Sequence, residues 1–140
     1  MKVVLDTNVL FSALISPGRT CWRAIRCAVR GTINACVDRR ILSEYERVLR
    51  EADTPFPEEE ANAFLAFFRN HGEVAQPRPL AAELPDPTDL PFLEVAAATE
   101  AILVTGNKRH FPASACGGVR VLTPAELMEL LDEAGLDLGH

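Results

Sequence analysis

KVVLDTNVLFSALI, residues 2–15, decides the fold. Val3, Val4 and Leu5 follow Lys2 as a short apolar, β-branched run, which predicts a buried strand over 2–5. Asn8 to Ile15 then has the spacing of a helix, and Pro17-Gly18 stops it. Asp6 stands at the junction, at the carboxyl end of the strand.

The same alternation runs along the chain. Thr20 to Arg30 is a helical pattern closed by Gly31, and Thr32 to Val37 is a second strand. Asp38 suits the cap of a helix over 39–52 that Pro55 ends. Pro57, the acidic run Glu58-Glu59-Glu60 and Gly72 frame a helix over 57–71. Val74 to Gln76 reads as a short strand. Five prolines between 77 and 91 exclude a helix or central strand there and predict an ordered loop. A helix over 90–101, a strand over 102–104 and a strand over 119–122 follow. Thr123-Pro124-Ala125-Glu126 starts the last helix with a capping box, and Asp137 to His140 is expected to fray. Strands alternating with helices predict a parallel sheet covered on both faces, in a single domain over 1–140.

Composition narrows the class. The 140 residues are 48% hydrophobic and 24% charged, and no run is long enough to span a membrane. Asp6 breaks any signal-peptide core, so a cytoplasmic location is expected. Cys21, Cys27, Cys36 and Cys116 form no CxxC or CxxH pair and read as reduced core thiols. The net charge of −6 argues against binding nucleic acid through bulk charge. Its distribution is uneven: Arg19 to Arg50 holds eight arginines against three acidic residues. Arg19, Arg23, Arg26 and Arg30 share one helix face, either a contact surface for phosphate or a partner, or a solvated face.

Ligands of open parallel sheets bind beyond the carboxyl ends of the strands. Asp6 and Asn107 both follow strands there, and Asp86 and Asp89 precede a helix whose N-terminus lies at the same rim. On helix 39–52 the apolar stripe is Ile41, Leu42, Tyr45, Val48, Leu49 and Ala52, with Glu44 at one boundary and Glu46 at the other. Geometry alone does not choose between them. Clustered carboxylates need a compensating cation, and oxygen donors suit Mg²⁺ or Mn²⁺. Each residue also has a plainer role. Asp6 and Asp89 can cap helices, Asp86 can make a turn, Glu44 can pair with Arg47, and Asn107 can occupy a turn with left-handed backbone.

VVLDTNVLFSAL (3–14), LSEYERVL (42–49), DPTDLPFLEVA (86–96) and ILVTGNKRHFP (102–112) together resemble the PIN-domain family, and more narrowly its toxin components of toxin–antitoxin systems. The resemblance covers about position 2 to about 123. It implies a three-layer α/β/α sandwich with a central, mainly parallel sheet and an acidic, metal-dependent nuclease site. It selects Glu44 over Glu46 and matches Asp6, Glu44 and Asp89 to the family's metal-binding acids, with Mg²⁺ or Mn²⁺ as cofactor. The family commonly has aspartate where this chain has Asn107. An amide retains a carbonyl oxygen but loses a unit charge and cannot act as a carboxylate base. Thr7, Asn8, Asp86 and Thr105 are expected to support the ligands. Lys108 and Arg109, with the Arg19, Arg23, Arg26 and Arg30 face, are expected to meet RNA or an antitoxin; His110 follows them as a phosphate contact or a surface residue. The implied activity is hydrolysis of RNA phosphodiester bonds by a homodimer. The alternatives are a catalytically weak module that binds RNA or a partner, and a flap-type DNA nuclease.

Overall fold

The structure, a computed structural model, describes residues 1–51 and 53–140. The strands are β1 (Lys2–Leu5), β2 (Asn34–Val37), β3 (Glu73–Val74), β4 (Ile102–Val104) and β5 (Val121–Leu122). They form a five-stranded sheet in the order β3-β2-β1-β4-β5, and every neighbouring pair is parallel. Val3, Val4 and Leu5 point alternately to opposite faces, yet all three are fully buried. Helices therefore cover both faces, as the apolar run of β1 requires. They are α1 (Thr7–Ile15), α2 (Thr20–Val29), α3 (Arg39–Leu49), α4 (Glu58–His71), α5 (Leu90–Thr99), α6 (Ala113–Cys116) and α7 (Pro124–Glu133).

Local signals place most of these boundaries. The Asp38 side chain accepts from the Ile41 amide at 2.9 Å and starts α3. Thr123 and Glu126 form the capping box of α7. Gly72 leaves the helical backbone and ends α4, and only glycine fits there because a Cβ would lie 2.5 Å from the Phe68 carbonyl oxygen. The expected second strand is shorter, since Thr32 and Ile33 belong to the turn after α2. Helix α5 stops at Thr99, where Glu100 adopts φ 55° and closes it with left-handed backbone. Two 3₁₀ turns, Pro87–Asp89 and Lys108–His110, and the short α6 were not expected. Ala52, read as the last residue of α3, lies outside the described residues.

Helix α3 is pinned to the middle of the sheet. Tyr45 is buried, donates its hydroxyl to the Leu5 carbonyl, and packs edge-on against Phe68 with ring centres 5.4 Å apart. Leu5 is the last residue of β1, so this contact sets α3 against the strand end that carries Asp6.

The C-terminal segment does not fray. Arg30 donates from Nη1 to both carboxylate oxygens of Asp137 at 3.0 Å and from Nη2 to the His140 carbonyl at 2.6 Å. A Cβ on Gly139 would overlap the Arg23 carbonyl oxygen. The arginines of α2 give an acidic tail something to bind, which its isolated composition does not reveal.

Candidate active site

The β1–β4 register pairs Leu5 with Val104, so Asp6 and Thr105 emerge side by side at the carboxyl rim. The Thr105 hydroxyl donates to Asp6 Oδ2 at 2.8 Å. Asp6 occupies the N-cap position of α1 but its side chain makes no capping bond, so the carboxylate is not used to start that helix. It is buried at 5% exposure. Burial pushes its carboxyl above the usual range, with the Thr105 hydroxyl opposing the shift. Asn8 accepts from the Gly106 amide at 3.1 Å and ties the turn after β4 to α1. Thr7 Oγ1 is buried without a hydrogen-bond partner.

Asp86 takes the turn role read from the sequence, whereas Asp89 does not take the helix-cap role. Asp86 starts the 3₁₀ turn by accepting from the Thr88 amide at 3.0 Å and the Thr88 hydroxyl at 2.7 Å. Asp89 precedes α5 but caps nothing. Its Oδ2 is buried with no hydrogen bond, although His110 Nδ1 stands 3.3 Å away. That approach brings the atoms close but lacks hydrogen-bond geometry. Burial first, then the charges of Asp6 and Asp86, raise the Asp89 carboxyl to about 6, while His110 pulls the other way. Glu44 adds to the upward push on both Asp6 and Asp89. Asp89 thus feels the charges of Asp6, Asp86, His110 and Glu44, and Asp6 those of His110 and Glu44, which places the five at one rim.

Glu44 reaches this neighbourhood because the next residue, Tyr45, is anchored under β1. Its carboxylate is held by Arg47 at 2.7 and 3.2 Å, the plainer role read from the sequence. Glu46 turns to Arg50 and Arg69 on the other side of α3. Asn107 has extended backbone at φ −141°, not left-handed, and its Oδ1 accepts from the Arg109 amide at 3.1 Å. The amide oxygen is thus turned to its own 3₁₀ turn. Among the described residues no three His, Cys, Asp or Glu side chains converge closely enough to form a metal shell. The donor chemistry nevertheless fits a hard cation. Asp6 and Asp89 offer buried carboxylate oxygens, one of them unpaired, at a site that burial and mutual repulsion disfavour without a counter-charge.

The basic residues separate. Lys108 binds Glu126 at 2.6 Å, and Arg109 is exposed. On α2, Arg30 holds the tail, Arg23 approaches His140 at 3.5 Å, and Arg26 Nε is buried without a partner. Arg19 is exposed. The α2 face is therefore partly covered by the chain itself.

Two features escaped the sequence reading. His110 faces Asp89, and its position shortly after the glycine turn was the available signal. Glu94, buried at 4%, accepts from Arg40 Nη1 at 2.6 Å and from the Leu80 amide at 2.7 Å. Arg40 also binds Asp38 through Nη2 at 2.8 Å. Glu94 thereby ties α5, α3 and the proline-rich loop together beside the rim. Glu94→Ala is expected to cost about 2–3 kcal/mol, less than a fully buried pair because Arg40 is 46% exposed. The check is a lower urea midpoint with unchanged slope.

A cavity of about 1000 Å³ lies elsewhere, where β4 begins, against Ala97, Ala101, Ile102 and Val119. It is at the amino end of the strand, away from the carboxylates.

A PIN domain family model matches residues 2–109. No curated protein matches the chain. Among solved structures it is similar to VapBC2 from Rickettsia felis, determined bound to a DNA fragment from their promoter. The TM-score is 0.60 at 16% identity, covering 88% of this chain and 98% of that one. VapBC-1 from nontypeable Haemophilus influenzae matches with TM-score 0.57 at 15% identity, covering 89% and 99%. PAE2754 from Pyrobaculum aerophilum matches with TM-score 0.60 at 15% identity, covering 95% and 90%. At these identities the structures establish a shared fold.

Proposed function

The chain belongs to the PIN-domain family, and from that premise we propose that residues 1–140 form one metal-dependent endoribonuclease domain, the toxin of a toxin–antitoxin pair. The observation that carries the reading is the meeting of Asp6 and Asp89 at one rim, with Asp89 Oδ2 buried and unpaired. A carboxylate serving only the fold would have spent that oxygen on a helix amide, whereas here His110 Nδ1 stands 3.3 Å away without forming a hydrogen bond. The similarity to the VapBC structures supports an antitoxin partner.

Asp6, Asp89 and Glu44 would hold the ion, and Glu44 must exchange Arg47 for it. What Mg²⁺ or Mn²⁺ supplies at such a site is neutralisation of phosphoryl charge and acidification of water. Thr105 keeps Asp6 oriented through its hydroxyl. Without the ion, burial and the charges of Asp6 and Asp86 raise the Asp89 carboxyl to about 6, a load that a bound cation would relieve, and His110 Nδ1 stands 3.3 Å from it. Asn107 would complete the group with a neutral carbonyl only by releasing the Arg109 amide that its Oδ1 now accepts from.

A second reading is a PIN fold that binds RNA or a partner with weak catalysis. The Glu44–Arg47 pair and the inward-turned Asn107 oxygen favour it. Purified protein with mixed-sequence single-stranded RNA or DNA, in Mn²⁺, Mg²⁺ or EDTA, separates the two. RNA cleavage in metal and silence in EDTA is the expected result. Silence in every metal, relieved by Asn107→Asp, identifies a lesion at Asn107. Silence that persists in Asn107→Asp favours the binding module, and preferential DNA cleavage overturns the ribonuclease assignment.

A further inference from the structure

A second cluster stands one strand away from Asp6. Strands β1 and β2 pair Lys2 with Asn34 and Val3 with Ala35. Carried along the strands, that register sets Asp38 beside Asp6 on the same rim. Neighbouring strands are about 4.8 Å apart, so a polymer crossing the rim at Asp6 passes over both. Beside Asp38 opens a cavity of about 460 Å³, walled by Arg39, Arg40, Val74, Pro77 and Pro79 above the Glu94 carboxylate.

The lining holds two acids and two arginines, but they do not face the same way. Asp38 and Glu94 are 6% and 4% exposed, and their oxygens are occupied by Arg40 and by the Ile41 and Leu80 amides. What faces solvent is positive. Arg39 is exposed, and no ion pair or side-chain hydrogen bond engages it among the described residues. Arg40 is held from three nitrogens, Nε, Nη1 and Nη2, which leaves N–H groups of its five over for a ligand. The same cavity is also lined by the apolar Pro77, Pro79 and Val74, the last of them 68% exposed. A fixed guanidinium next to a bare apolar surface suits an anion joined to a flat hydrophobic ring. A strand of RNA presents that combination at every residue. It also needs such a landing place, because the neighbouring rim is acidic and α2 has turned two arginines to its own tail.

We propose that the cavity of Arg39, Arg40, Val74, Pro77 and Pro79 is a nucleotide subsite that holds the RNA strand next to the Asp6–Asp89 centre. The proposal rests on the ribonuclease reading for its substrate, and its test separates binding from cleavage. A labelled short single-stranded RNA is titrated by fluorescence anisotropy onto Asp6→Asn protein, and onto Asp6→Asn proteins that also carry Arg39→Ala or Val74→Asp. Each added change is expected to weaken binding about fivefold, and Arg39→Ala to make the salt dependence shallower by about 0.7 in log–log slope, the share of one single-strand phosphate contact. In the otherwise unchanged chain, Arg39→Ala is expected to raise KM while leaving kcat and calorimetric Mn²⁺ affinity as they were. Unchanged dissociation constants and salt slope in both variants overturn the subsite. So does an acidic peptide that displaces the RNA and depends equally on Arg39, which marks a protein-binding surface instead. If the unsubstituted protein cleaves nothing but Arg39-dependent RNA binding persists, the subsite stands and the nuclease reading fails.

Discussion

Asp6→Asn protein is expected to lose RNA cleavage by about a hundredfold or more while keeping its fold. The amide has the same shape and still accepts the Thr105 hydroxyl through its carbonyl oxygen. What disappears is a unit of negative charge at a position only 5% exposed to solvent. Replacing even the partners that orient a metal ligand typically costs 10–100-fold in affinity or activity, and a direct ligand is at least as sensitive. Single-turnover cleavage in Mn²⁺ measures the rate, and calorimetry measures the loss of ion binding. Removing a buried carboxylate also removes its desolvation cost, so urea denaturation of metal-free protein should show no loss of stability. Full cleavage by Asp6→Asn would move the chemistry away from this rim.

Asp89→Asn is expected to raise the stability of the metal-free protein and to lose function as Asp6→Asn does. In the folded chain the Asp89 carboxyl titrates at about 6, above its ordinary 3.8. Between those values the folded protein keeps a proton that the unfolded chain has released. Stability therefore falls as pH rises through that window, and above about pH 6 the whole penalty is present. A shift of about two units corresponds to about 3 kcal/mol, and the side chain, 14% exposed, is poorly screened. Asparagine has no such penalty. In EDTA at about pH 8 the variant should exceed the parent by about 2–3 kcal/mol, and by much less near pH 4, where Asp89 is protonated. Saturating Mn²⁺ should reverse the order, because only the parent gains binding energy from the ion. A variant-minus-parent difference that is the same at both pH values in EDTA would show that Asp89 is not under repulsive load. The two variants together describe a site that costs stability when empty of counter-charge, as functional carboxylate clusters do.

Much of this was readable before any coordinates. The apolar run Val3-Val4-Leu5, the stop at Pro17-Gly18, Asp38 as a cap and the Thr123–Glu126 box each depend on residues within a few positions of one another. So does the alternation that makes the sheet parallel. Other elements were not readable for equally physical reasons. A short strand was legible at Val74 to Gln76, but the one that forms, Glu73–Val74, has its bounds set by pairing with β2. The tail looked free because nothing in its own sequence binds it, whereas Arg30 does. Glu94 looked like one more helix acid until Arg40 and the Leu80 amide closed over it.

The sequence by itself determined the order of the elements, the parallel sheet and the placing of Asp6 at the end of its first strand. Periodicity, capping and chain reversal are local, and a local pattern carries them in full. Only the tertiary structure decided which carboxylates are loaded and which are satisfied. Asp89 is left with an unpaired oxygen, Asp86 is spent on Thr88, Glu44 is held by Arg47, and Glu94 is neutralised by Arg40. Desolvation and charge coupling depend on groups that the fold brings together from distant parts of the chain, so residue type and spacing cannot distinguish a strained carboxylate from a contented one.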